Sequence, residues 1–466
     1  MAGQLAARTR ALVSRLPLVR SRDALPVDVL PALRLGGKLT LPGDKSISHR
    51  ALMLALLAEG ETRITGAGDG EDVRSTAGIV TALGADVLRT RRPDRNVDYV
   101  VVSRGARRVR FAGDLWCGNS GTTMRLVAGI LAGLDVNANL DGDASLERRP
   151  MSRVVEPLRA MGADIEAGQP DGTGGLAVTG PRPLRAIDWT TPVASAQVKS
   201  SILLAALAAQ GTTVVRQPVP TRDHTERMLR ARGVPVRSRV EADGSSTVEL
   251  DGPATVRAVD QVVPGDPSAA AFWLVAGSIH PDAELRIRGV GVNPTRRAAI
   301  DLLRRMGASI EEDGVGAEGD GDGVGEPIAD LVVRSAALEG IEVSPAETAA
   351  AIDEIPVLCL AATQARGRSV IRGAGELRHK ESDRIAGIVD GLGRLGARIT
   401  ADGDDLVVDG PVRLCGGTVD SLGDHRLAMT FAVAGLVATD RTTIQDADSV
   451  GISYPGFFAD LERIRS

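Results

Sequence analysis

Residues 81–87, TALGADV, recur in closely similar form four more times along this chain. The other copies are RAMGADI (159–165), RARGVPV (230–236), RRMGASI (304–310) and GRLGARI (393–399). In each copy a helical segment ends just before a glycine and a strand begins just after it, which is where glycine commonly follows a helix. The glycines are 78, 71, 74 and 89 residues apart, which indicates a chain built from repeats.

The longest of these intervals contains residues 311–326, EEDGVGAEGDGDGVGE, which are rich in glycine and acidic residues. This composition is typical of turns and exposed loops. We therefore expect an exposed hairpin tip or loop that is inserted into a repeat of otherwise common length.

A second pattern alternates with the first and combines a polar turn, a helix of small apolar residues, a glycine and a strand. Its copies are PGDKSISHRALMLALLAEGETRITG (42–66), GNSGTTMRLVAGILAG (118–133), ASAQVKSSILLAALAAQGTTVV (194–215), PGDPSAAAFWLVAGSI (264–279), IDEIPVLCLAATQARGRSVIRG (352–373) and GDHRLAMTFAVAGLVATDRTTI (423–444). Helices with so little polar surface are buried on most sides. We predict an α/β fold of six units, each with two helices against a sheet, grouped as two domains of three units.

Composition limits the classes of function. The chain has 466 residues, 43% of them apolar and 25% charged, as in ordinary soluble proteins. A net charge of −5 and an aromatic content of 2% argue against nucleic-acid binding through a basic face or stacked bases. The longest apolar runs are too short to span a membrane. We therefore expect neither nucleic-acid nor membrane partners.

Cysteine usage and the N-terminus bear on location. The three cysteines, Cys117, Cys359 and Cys415, are far apart, which supports neither disulfides nor a zinc site and indicates a reducing, cytoplasmic compartment. Cys117 is expected to be a buried small apolar residue. Residues 1–20 carry four Arg and no acidic residue, and we predict a poorly ordered N-terminal extension over residues 1–30.

The polar turns before the six apolar helices hold the candidate functional residues. A helix N-terminus presents unpaired N–H groups and the positive end of the helix dipole, which suits phosphate or carboxylate. Six such ends brought together would bind anions strongly. Turns that also carry Lys, Arg or His are the functional candidates, whereas Asp266 and Ser268 are expected to be helix caps.

Lysine is scarce in this chain. The 55 basic residues include only four lysines, namely Lys38, Lys45, Lys199 and Lys380. A lysine kept in so arginine-rich a chain can mark a position that needs a compact ammonium group. Lys45 and Lys380 lie in charged, glycine-bounded motifs, so these two are the candidates for chemistry.

The polar motifs taken together resemble one enzyme family. They are PGDKSISHR (42–50), GNSGTTMR (118–125), RRPM (148–151), SAQVKS (195–200), TRDHTERML (221–229), IDEIP (352–356), LRHKESDR (377–384) and GDHR (423–426). In this order, over residues 35–460, the chain resembles the 5-enolpyruvylshikimate-3-phosphate synthases, and SISHR, SAQVKS and TRDHTE resemble their Bacillus-type branch. The resemblance implies transfer of the enolpyruvyl group of phosphoenolpyruvate to the 5-hydroxyl of shikimate 3-phosphate, with release of phosphate, in aromatic amino acid biosynthesis.

The resemblance also implies a fold and a set of partners. The fold is that of enolpyruvyl transferases, with two domains of three βαββαβ units around buried parallel helices and the site between the domains. We place the two crossovers at PGD (42–44) and PGD (264–266), which gives one domain over residues 44–262 and another over 31–43 together with 263–466. The implied partners are small anionic substrates; no cofactor or metal is implied, and we expect a monomer.

Roles follow from the resemblance for fourteen residues. The reaction needs cations for two phosphates and two carboxylates, a base for the hydroxyl and an acid for the methylene carbon. The implied catalytic residues are Asp353 as base, Glu381 as acid or proton relay, and Lys45. Those implied to bind shikimate 3-phosphate are Lys45, Ser46, Arg50, Ser195, Ala196, Gln197, Arg222, Asp353 and Lys380. Those implied to bind phosphoenolpyruvate are Lys45, Gly121, Arg149, Gln197, Arg384 and Arg426.

Alternatives stay open for several of these residues. Glu354, next to Asp353, is a second candidate base, and Arg384 three residues after Glu381 is also compatible with a plain helical ion pair. Because a base and an acid need opposite protonation states, we expect different environments to separate the pKa values of Asp353 and Glu381. The histidines expected to be structural hydrogen-bonding residues are His49, His224, His379 and His425, with His425 the first candidate for an exception.

Two positions depart from the patterns of relatives. Ile452, within GISYPGFF (451–458), stands where some members have a lysine, and Leu126 stands where enteric relatives have a proline. Both positions bear on the response to glyphosate, the phosphoenolpyruvate-competitive inhibitor of this family, which the sequence leaves open.

Two other functions compete with this one. A UDP-N-acetylglucosamine enolpyruvyl transferase shares the fold and the donor, but would be expected to show a KNA-type first turn and a loop cysteine where this chain has KSISHR (45–50). A non-catalytic repeat scaffold would carry varied contact residues in place of the Lys, Asp, Glu and Arg sets of the six turns.

Overall fold

A computed structural model describes residues 26–180, 183–316 and 325–465. In chain order, the α-helices of these residues are α1 Lys45–Leu57, α2 Glu71–Ala82, α3 Gly121–Ala132, α4 Ala144–Glu147, α5 Ser152–Ala160, α6 Ala196–Ala206, α7 His224–Ala231, α8 Pro267–Ile279, α9 Ala298–Arg305, α10 Pro345–Ala350, α11 Ile355–Gln364, α12 Arg384–Arg394, α13 His425–Val437 and α14 Phe457–Ile464. Short 3₁₀ segments cover Ala106–Arg108, Gly375–His379 and Ala447–Ile452.

The strands alternate with these helices. In chain order they are β1 Val27–Val29, β2 Leu35–Thr40, β3 Glu59–Ala67, β4 Asp86–Arg91, β5 Val97–Arg104, β6 Arg110–Trp116, β7 Asp135–Asp141, β8 Asp164–Ala167, β9 Leu176–Thr179, β10 Asp188–Thr190, β11 Gly211–Gln217, β12 Val236–Val240, β13 Ser246–Gly252, β14 Gln261–Val262, β15 Ala283–Gly291, β16 Ser309–Gly316, β17 Ile328–Arg334, β18 Glu342–Val343, β19 Gly367–Ile371, β20 Arg398–Asp402, β21 Asp405–Gly410, β22 Gly417–Asp420 and β23 Thr442–Gln445.

The recurrent glycine of the first pattern follows a helix in all five copies, as predicted. Gly84, Gly162, Gly233, Gly307 and Gly396 have φ values of 100°, 100°, 78°, 99° and 91°. This left-handed conformation is the one in which glycine is favoured after a helix C-terminus. The helices that end there are α2, α5, α7, α9 and α12, and a strand follows each of them.

The six apolar helices of the second pattern are α1, α3, α6, α8, α11 and α13, and most of their residues are buried. Small residues let them pack closely. A Cβ on Gly129 of α3, for example, would collide with the carbonyl oxygen of Ser201 in α6. These helices therefore form the inner layer of the protein.

Six sheets surround the inner helices and confirm the predicted α/β class. Five of them share one strand pattern: β14-β3-β5-β4, β6-β7-β9-β8, β10-β11-β13-β12, β2-β15-β17-β16 and β18-β19-β21-β20. In each order the first two strands are parallel and the other neighbours are antiparallel. The sixth sheet has three described strands in the order β1-β23-β22.

Two strands are exchanged between repeats. Strand β2 precedes α1 in the chain but pairs with β15, whereas β14 precedes α8 but pairs with β3. The two connecting segments, which contain the PGD motifs, lie side by side: the backbone N–H of Asp44 donates to the carbonyl of Pro264 over 2.7 Å, and that of Asp266 donates to the carbonyl of Pro42 over 2.9 Å. The chain therefore passes between the two sets of repeats twice, through two segments that lie next to each other.

The buried apolar residues form two separate clusters. The first gathers residues from Ile47 to Val263, and the second gathers residues from Val29 to Leu41 and from Ala269 to Ile464. The chain passes from one cluster to the other at the two PGD motifs. The domain boundaries at 43/44 and 262/263 stay a prediction: the clusters divide close to both, although Val263 still belongs to the first cluster.

Two expectations for the chain's outer segments need correction. Residues 27–29, placed in the poorly ordered extension 1–30, form β1, which pairs with β23 because Val29 is buried in the second cluster; residues 1–25 lie outside the described residues. Residues 311–326 were expected to be a hairpin tip or loop, but their first residues are strand, since β16 runs to Gly316 in an antiparallel hairpin with β17; residues 317–324 are outside the described part. Among the described residues, no helix has the length and apolarity needed to cross a bilayer.

Candidate active site

A cleft of about 240 Å³ lies where the N-termini of the six inner helices meet, as predicted. Each helix start contributes a residue to its wall: Lys45, Gly121, Gln197, Ser268, Asp353 and Arg426. The helices α1, α3 and α6 pack in the first apolar cluster, and α8, α11 and α13 pack in the second. The arrangement turns the positive ends of six helix dipoles toward one space, which favours anionic ligands.

All fourteen residues given roles above line this single cleft. They are Lys45, Ser46, Arg50, Gly121, Arg149, Ser195, Ala196, Gln197, Arg222, Asp353, Lys380, Glu381, Arg384 and Arg426. Their individual roles stay predictions. The fold brings together groups that are separated by up to several hundred residues in the chain.

Side chains cap five of the six inner helices. The capping residues are Asp44, Ser120, Ser195, Asp266 and Asp424, each of which accepts a hydrogen bond from a backbone N–H of its own first turn. Asp266 is thus the helix cap that the sequence predicted. Glu354, which precedes α11, makes no such bond. A cap satisfies only part of the free N–H groups, so the others remain available to a ligand.

Lys45 is held at the cleft wall by a carboxylate that sequence analysis missed. Its ammonium nitrogen lies 2.9 Å from Oδ2 of Asp72, in the first turn of α2. Its backbone N–H also donates to Asp266 over 3.3 Å. Lys45 therefore presents a fixed positive charge next to a helix N-terminus.

Arg50 lines the cleft but is largely bonded to the protein itself. Its Nε donates to Oγ1 of Thr225 over 2.7 Å, and its two Nη atoms donate to the Ser46 carbonyl over 2.9 Å and to Oγ of Ser200 over 2.8 Å. Burial lowers the pKa of Arg50 to about 10. A guanidinium group has more N–H donors than these bonds use, so Arg50 can also bind a substrate.

A wall of arginines surrounds Gly121 and Gln197. The Gln197 amide accepts from Arg125 over 2.6 Å and donates to Oγ1 of Thr122 over 3.0 Å, which fixes its orientation. A Cβ at position 121 would lie 3.0 Å from Arg125 and 3.2 Å from Arg149, so a glycine leaves room for both cations. Burial, followed by the neighbouring arginines, lowers the pKa of Arg125 to about 10.

Asp353 lies among cations that are carried by chain segments packed on both apolar clusters. Its carboxylate is 2.5 Å from Nη2 of Arg222, 3.7 Å from Nζ of Lys380 and 3.6 Å from Nη1 of Arg384. Burial alone would raise the pKa of Asp353, but these cations, Lys380 and Arg222 most strongly, hold it well below its usual value. Asp353 is therefore an anionic group that can accept a proton.

Glu381 faces a different set of cations. Its carboxylate is 2.5 Å from Nη2 of Arg384 and 3.7 Å from Nη1 of Arg149. Arg384 is buried and also donates from Nε to Asp424 over 2.8 Å, so its pair with Glu381 belongs to a buried network and is not a plain helical ion pair. Burial opposes ionisation of Glu381, but Arg384 and Arg149 hold its pKa well below the usual value.

The expected separation of the Asp353 and Glu381 pKa values stays a prediction. Cations lower both pKa values, that of Asp353 chiefly through Lys380 and Arg222 and that of Glu381 chiefly through Arg384 and Arg149. The second candidate base, Glu354, is buried at 3% exposure and does not line the cleft. Its carboxylate accepts a short hydrogen bond from Ser268. The geometry thus favours Asp353 over Glu354 as the group that meets a substrate.

Two of the four histidines have the structural role expected of them. Nδ1 of His49 lies 2.6 Å from Oγ1 of Thr76, and Nδ1 of His224 lies 2.7 Å from Oε1 of Glu326. The other two line the cleft: His379 is exposed, and His425 is buried with neither ring nitrogen hydrogen-bonded in the described structure. Burial, with nearby Arg426 and Lys45, holds the pKa of His425 well below its usual value.

Several cleft residues were not identified from the sequence. Arg153 forms a two-point ion pair with Glu376, with both N···O distances at 3.0 Å, and so bridges the two apolar clusters. Further examples are Asp72, Arg125, Thr122 and Arg296. Arg125 ends the motif GNSGTTMR, so the sequence contained a signal for it. Arg153 and Arg296 could not be distinguished by sequence from ordinary surface arginines.

The two positions that depart from relatives, Ile452 and Leu126, are both buried and neither lines the cleft. Cys117 is fully buried, as expected, and burial raises the pKa of its thiol.

Residues 30–461 match the family model of EPSP synthase (3-phosphoshikimate 1-carboxyvinyltransferase). The chain belongs to this family. It is 52% identical over 439 residues to the 3-phosphoshikimate 1-carboxyvinyltransferase of Gloeobacter violaceus, covering 94% of this chain and 98% of that protein. It is 46% identical over 432 residues to the protein of the same name from Bacillus cereus, covering 92% of this chain and 97% of that protein, in line with the Bacillus-type resemblance.

Solved structures give the same fold. The EPSP synthase of Acinetobacter baumannii superposes with a TM-score of 0.82 at 38% identity, over 95% of this chain and 98% of that one. The enolpyruvyl transferase NikO from Streptomyces tendae superposes with a TM-score of 0.73 at 20% identity, over 94% of this chain and 97% of that one, which shows the fold alone. The expected enolpyruvyl transferase fold is therefore confirmed.

Proposed function

We propose that this protein is a 3-phosphoshikimate 1-carboxyvinyltransferase, which transfers the enolpyruvyl group of phosphoenolpyruvate to the 5-hydroxyl of shikimate 3-phosphate and releases phosphate. One observation carries the proposal: fourteen residues from eight family motifs line one cleft at six helix N-termini. Such a cleft offers the fixed cations and N–H groups that substrates with two phosphates and two carboxylates require.

Asp353 is proposed as the base for the acceptor hydroxyl. Its pKa is held low by surrounding cations, so it is ionised before substrate arrives. Ser195, Ala196, Gln197 and Arg222 are proposed to bind the phosphate of shikimate 3-phosphate, as a helix N-terminus with an adjacent guanidinium. Arg222 pairs with Asp353. A phosphate that draws Arg222 away would leave the Asp353 carboxylate free to accept the hydroxyl proton.

Glu381 is proposed to pass a proton to the methylene carbon of the donor as the acceptor oxygen bonds to C2, and to take a proton back from the resulting methyl group as the C2–O bond to phosphate breaks. Arg384 and Arg149 lie against Glu381 and lower its pKa, which favours the ionised carboxylate. These arginines, with Arg426 and Lys45, are proposed to bind the donor's phosphate and carboxylate. Once those anions offset the cations, the pKa of Glu381 rises and its carboxyl group can hold the proton that the reaction needs. Lys45 is proposed to stabilise the charge that develops on both ligands.

The shikimate acceptor is preferred over a nucleotide sugar because the first turn is KSISHR, and because the named relatives are 3-phosphoshikimate 1-carboxyvinyltransferases. A scaffold without activity does not account for carboxylates and cations gathered at a single cleft. We also propose that the protein is a monomer and that it is located in the cytoplasm.

The test is a phosphate-release assay with phosphoenolpyruvate and each acceptor in turn. We expect rapid release with shikimate 3-phosphate and none with UDP-N-acetylglucosamine. Release only with the nucleotide sugar would overturn the proposal, as would no release with either acceptor from folded protein. Asp353→Ala serves as the matched inactive control.

A further inference from the structure

Glu354 is exceptional among the residues that precede the inner helices. At the other five helices the equivalent side chain caps its own first turn, whereas Glu354 makes no capping bond. A buried carboxylate that gives up this role needs other partners to stabilise it. Its neighbour in sequence is Asp353, the proposed base.

The partners of Glu354 come from other segments of the second apolar cluster. Oγ of Ser268, in the first turn of α8, donates a short hydrogen bond to Oε1 of Glu354. Nη1 of Arg296 lies 3.6 Å from the same oxygen, and Nη2 of Arg296 donates to Oγ of Ser268 over 2.7 Å. All three side chains are buried, at 3%, 2% and 5% exposure for Glu354, Ser268 and Arg296. We call these three residues the Arg296 triad.

The triad also reaches the place where the chain crosses between the two clusters. Nη2 of Arg296 lies 3.3 Å from Asp266 and 3.9 Å from Asp44, the acidic residues of the two PGD motifs. Asp266 in turn accepts from the backbone N–H of Lys45. One guanidinium therefore contacts both crossovers and the turn that carries Asp353.

The charges around Arg296 explain why this cation is needed. Three buried carboxylates, Asp44, Asp266 and Glu354, surround it, and one guanidinium cannot offset all of them. In keeping with this, burial and the charge of Asp266 raise the pKa of Asp44. Removal of Arg296 would leave these carboxylates without their shared cation.

We propose that the Arg296 triad is a positioning device for the proposed reaction: Glu354, through Ser268 and Arg296, fixes the turn before α11 so that Asp353 faces the acceptor hydroxyl. The inference rests on the proposed function. It assigns Glu354 no proton transfer, and it makes Ser268, expected from sequence to be only a cap residue, a link between the proposed base and the crossovers.

The test compares conservative variants within the triad. Ser268→Ala removes the central hydroxyl with little change of volume, and Glu354→Ala removes the anchoring carboxylate. Glu354→Gln keeps its shape and its ability to accept a hydrogen bond. Ser278→Ala is the matched control, because Ser278 is a buried serine of the same helix α8 whose hydroxyl donates only to Leu274. Arg296→Lys is a further variant that keeps a cation in place.

We expect Ser268→Ala and Glu354→Ala to lower kcat about 10- to 100-fold, the size of effect that a misplaced reacting group produces. The dissociation constant of shikimate 3-phosphate, measured by calorimetry, should change less than about threefold, because the phosphate-binding residues are untouched. Glu354→Gln should recover most of the activity that Glu354→Ala loses, and Ser278→Ala should match the unmodified protein.

Two kinetic results would overturn the inference. One is kcat within about twofold of the unmodified protein for both Ser268→Ala and Glu354→Ala. The other is Glu354→Gln as inactive as Asp353→Asn, which would make Glu354 itself a proton-transfer group.

A second readout does not depend on turnover. In protein labelled with ¹³C-aspartate, the Asp353 carboxyl resonance, assigned by its absence in Asp353→Asn, should shift in Ser268→Ala and stay in place in Ser278→Ala. A shift in protein that does not turn over these substrates would refute the proposed function, and would leave only the structural link between the Arg296 triad and Asp353. An unchanged resonance in Ser268→Ala would refute the positioning inference even in an active enzyme.

Discussion

The buried ion pair between Lys199 and Glu226 gives a sharp prediction about stability. The pair joins α6 to α7 with an N···O distance of 2.6 Å, and the two side chains are 2% and 1% exposed. Lys199 also donates to the carbonyl of Thr221 over 3.3 Å, next to Arg222 at the cleft. Lys199→Met would leave the Glu226 carboxylate buried without its cation.

The expected cost is large because a buried charge that loses its partner keeps its desolvation penalty. Breaking such a pair on one side costs about 4 kcal/mol. For a domain of the size proposed for residues 44–262, each kcal/mol shifts the unfolding midpoint by about 2–4 °C. Lys199→Met should therefore lower the midpoint of that domain by about 8–16 °C.

The assay is thermal unfolding followed by circular dichroism, with a double variant that separates charge from packing. Lys199→Met with Glu226→Leu replaces both charges by apolar groups of similar size and should restore most of the lost stability. Arg237→Met, which breaks an exposed pair with Asp251, is the control and should leave the midpoint unchanged. The reasoning is refuted if Lys199→Met and Arg237→Met shift the midpoint equally, or if the double variant is less stable than Lys199→Met.

Three further predictions concern the cleft. Lys45→Met should stay folded, with a lower unfolding midpoint because the buried Asp72 loses its ion-pair partner, but should lose about a thousandfold or more in kcat/KM, since the charge that stabilises the transition state is removed; near-normal kinetics would contradict its role. Asp353→Ala should abolish turnover, while shikimate 3-phosphate should still bind when binding is measured by calorimetry. Glu381→Ala should slow entry of solvent deuterium into the methylene group, and an unchanged rate of deuterium entry would exclude Glu381 as the proton donor. Because the pKa of Glu381 is lowered in the folded protein, its contribution to stability is complete above pH ~4.5 and is lost as the pH falls toward the folded pKa. The difference in free energy of unfolding between the unmodified protein and Glu381→Gln, measured with urea, should therefore shrink as the pH is lowered. A difference that does not depend on pH would contradict the ion pair.

The repeat and its inner helices could be predicted because backbone geometry leaves a signature in single residues. A position that needs a left-handed φ after a helix selects glycine, and all five predicted glycines, such as Gly84 and Gly396, have that conformation. Helices buried on all sides need small apolar residues, which made the six inner helices visible. The N-terminal limit was missed because β1 is only three residues long, and its pairing with β23 depends on a strand more than 400 residues away.

The cleft could be predicted from its motifs, but its charge balance could not. Sequence spacing does not show that Arg384 lies against both Asp353 and Glu381, so the sequence alone could not show that cations lower the pKa values of both carboxyl groups. Lysine scarcity identified Lys45 and Lys380 at the cleft, whereas Lys199 serves a buried ion pair. Contacts between distant segments, such as Arg153 with Glu376, leave no local pattern.

The most direct test of the central claim follows the reaction of shikimate 3-phosphate with phosphoenolpyruvate by ³¹P and ¹H nuclear magnetic resonance. The account predicts that the phosphoenolpyruvate signal disappears, that inorganic phosphate appears in equal amount, and that the acceptor keeps its phosphate while gaining a new pair of vinyl protons. Asp353→Ala should show none of these changes. Phosphate released without new vinyl protons on the acceptor would contradict the account, because it would show hydrolysis of the donor without transfer.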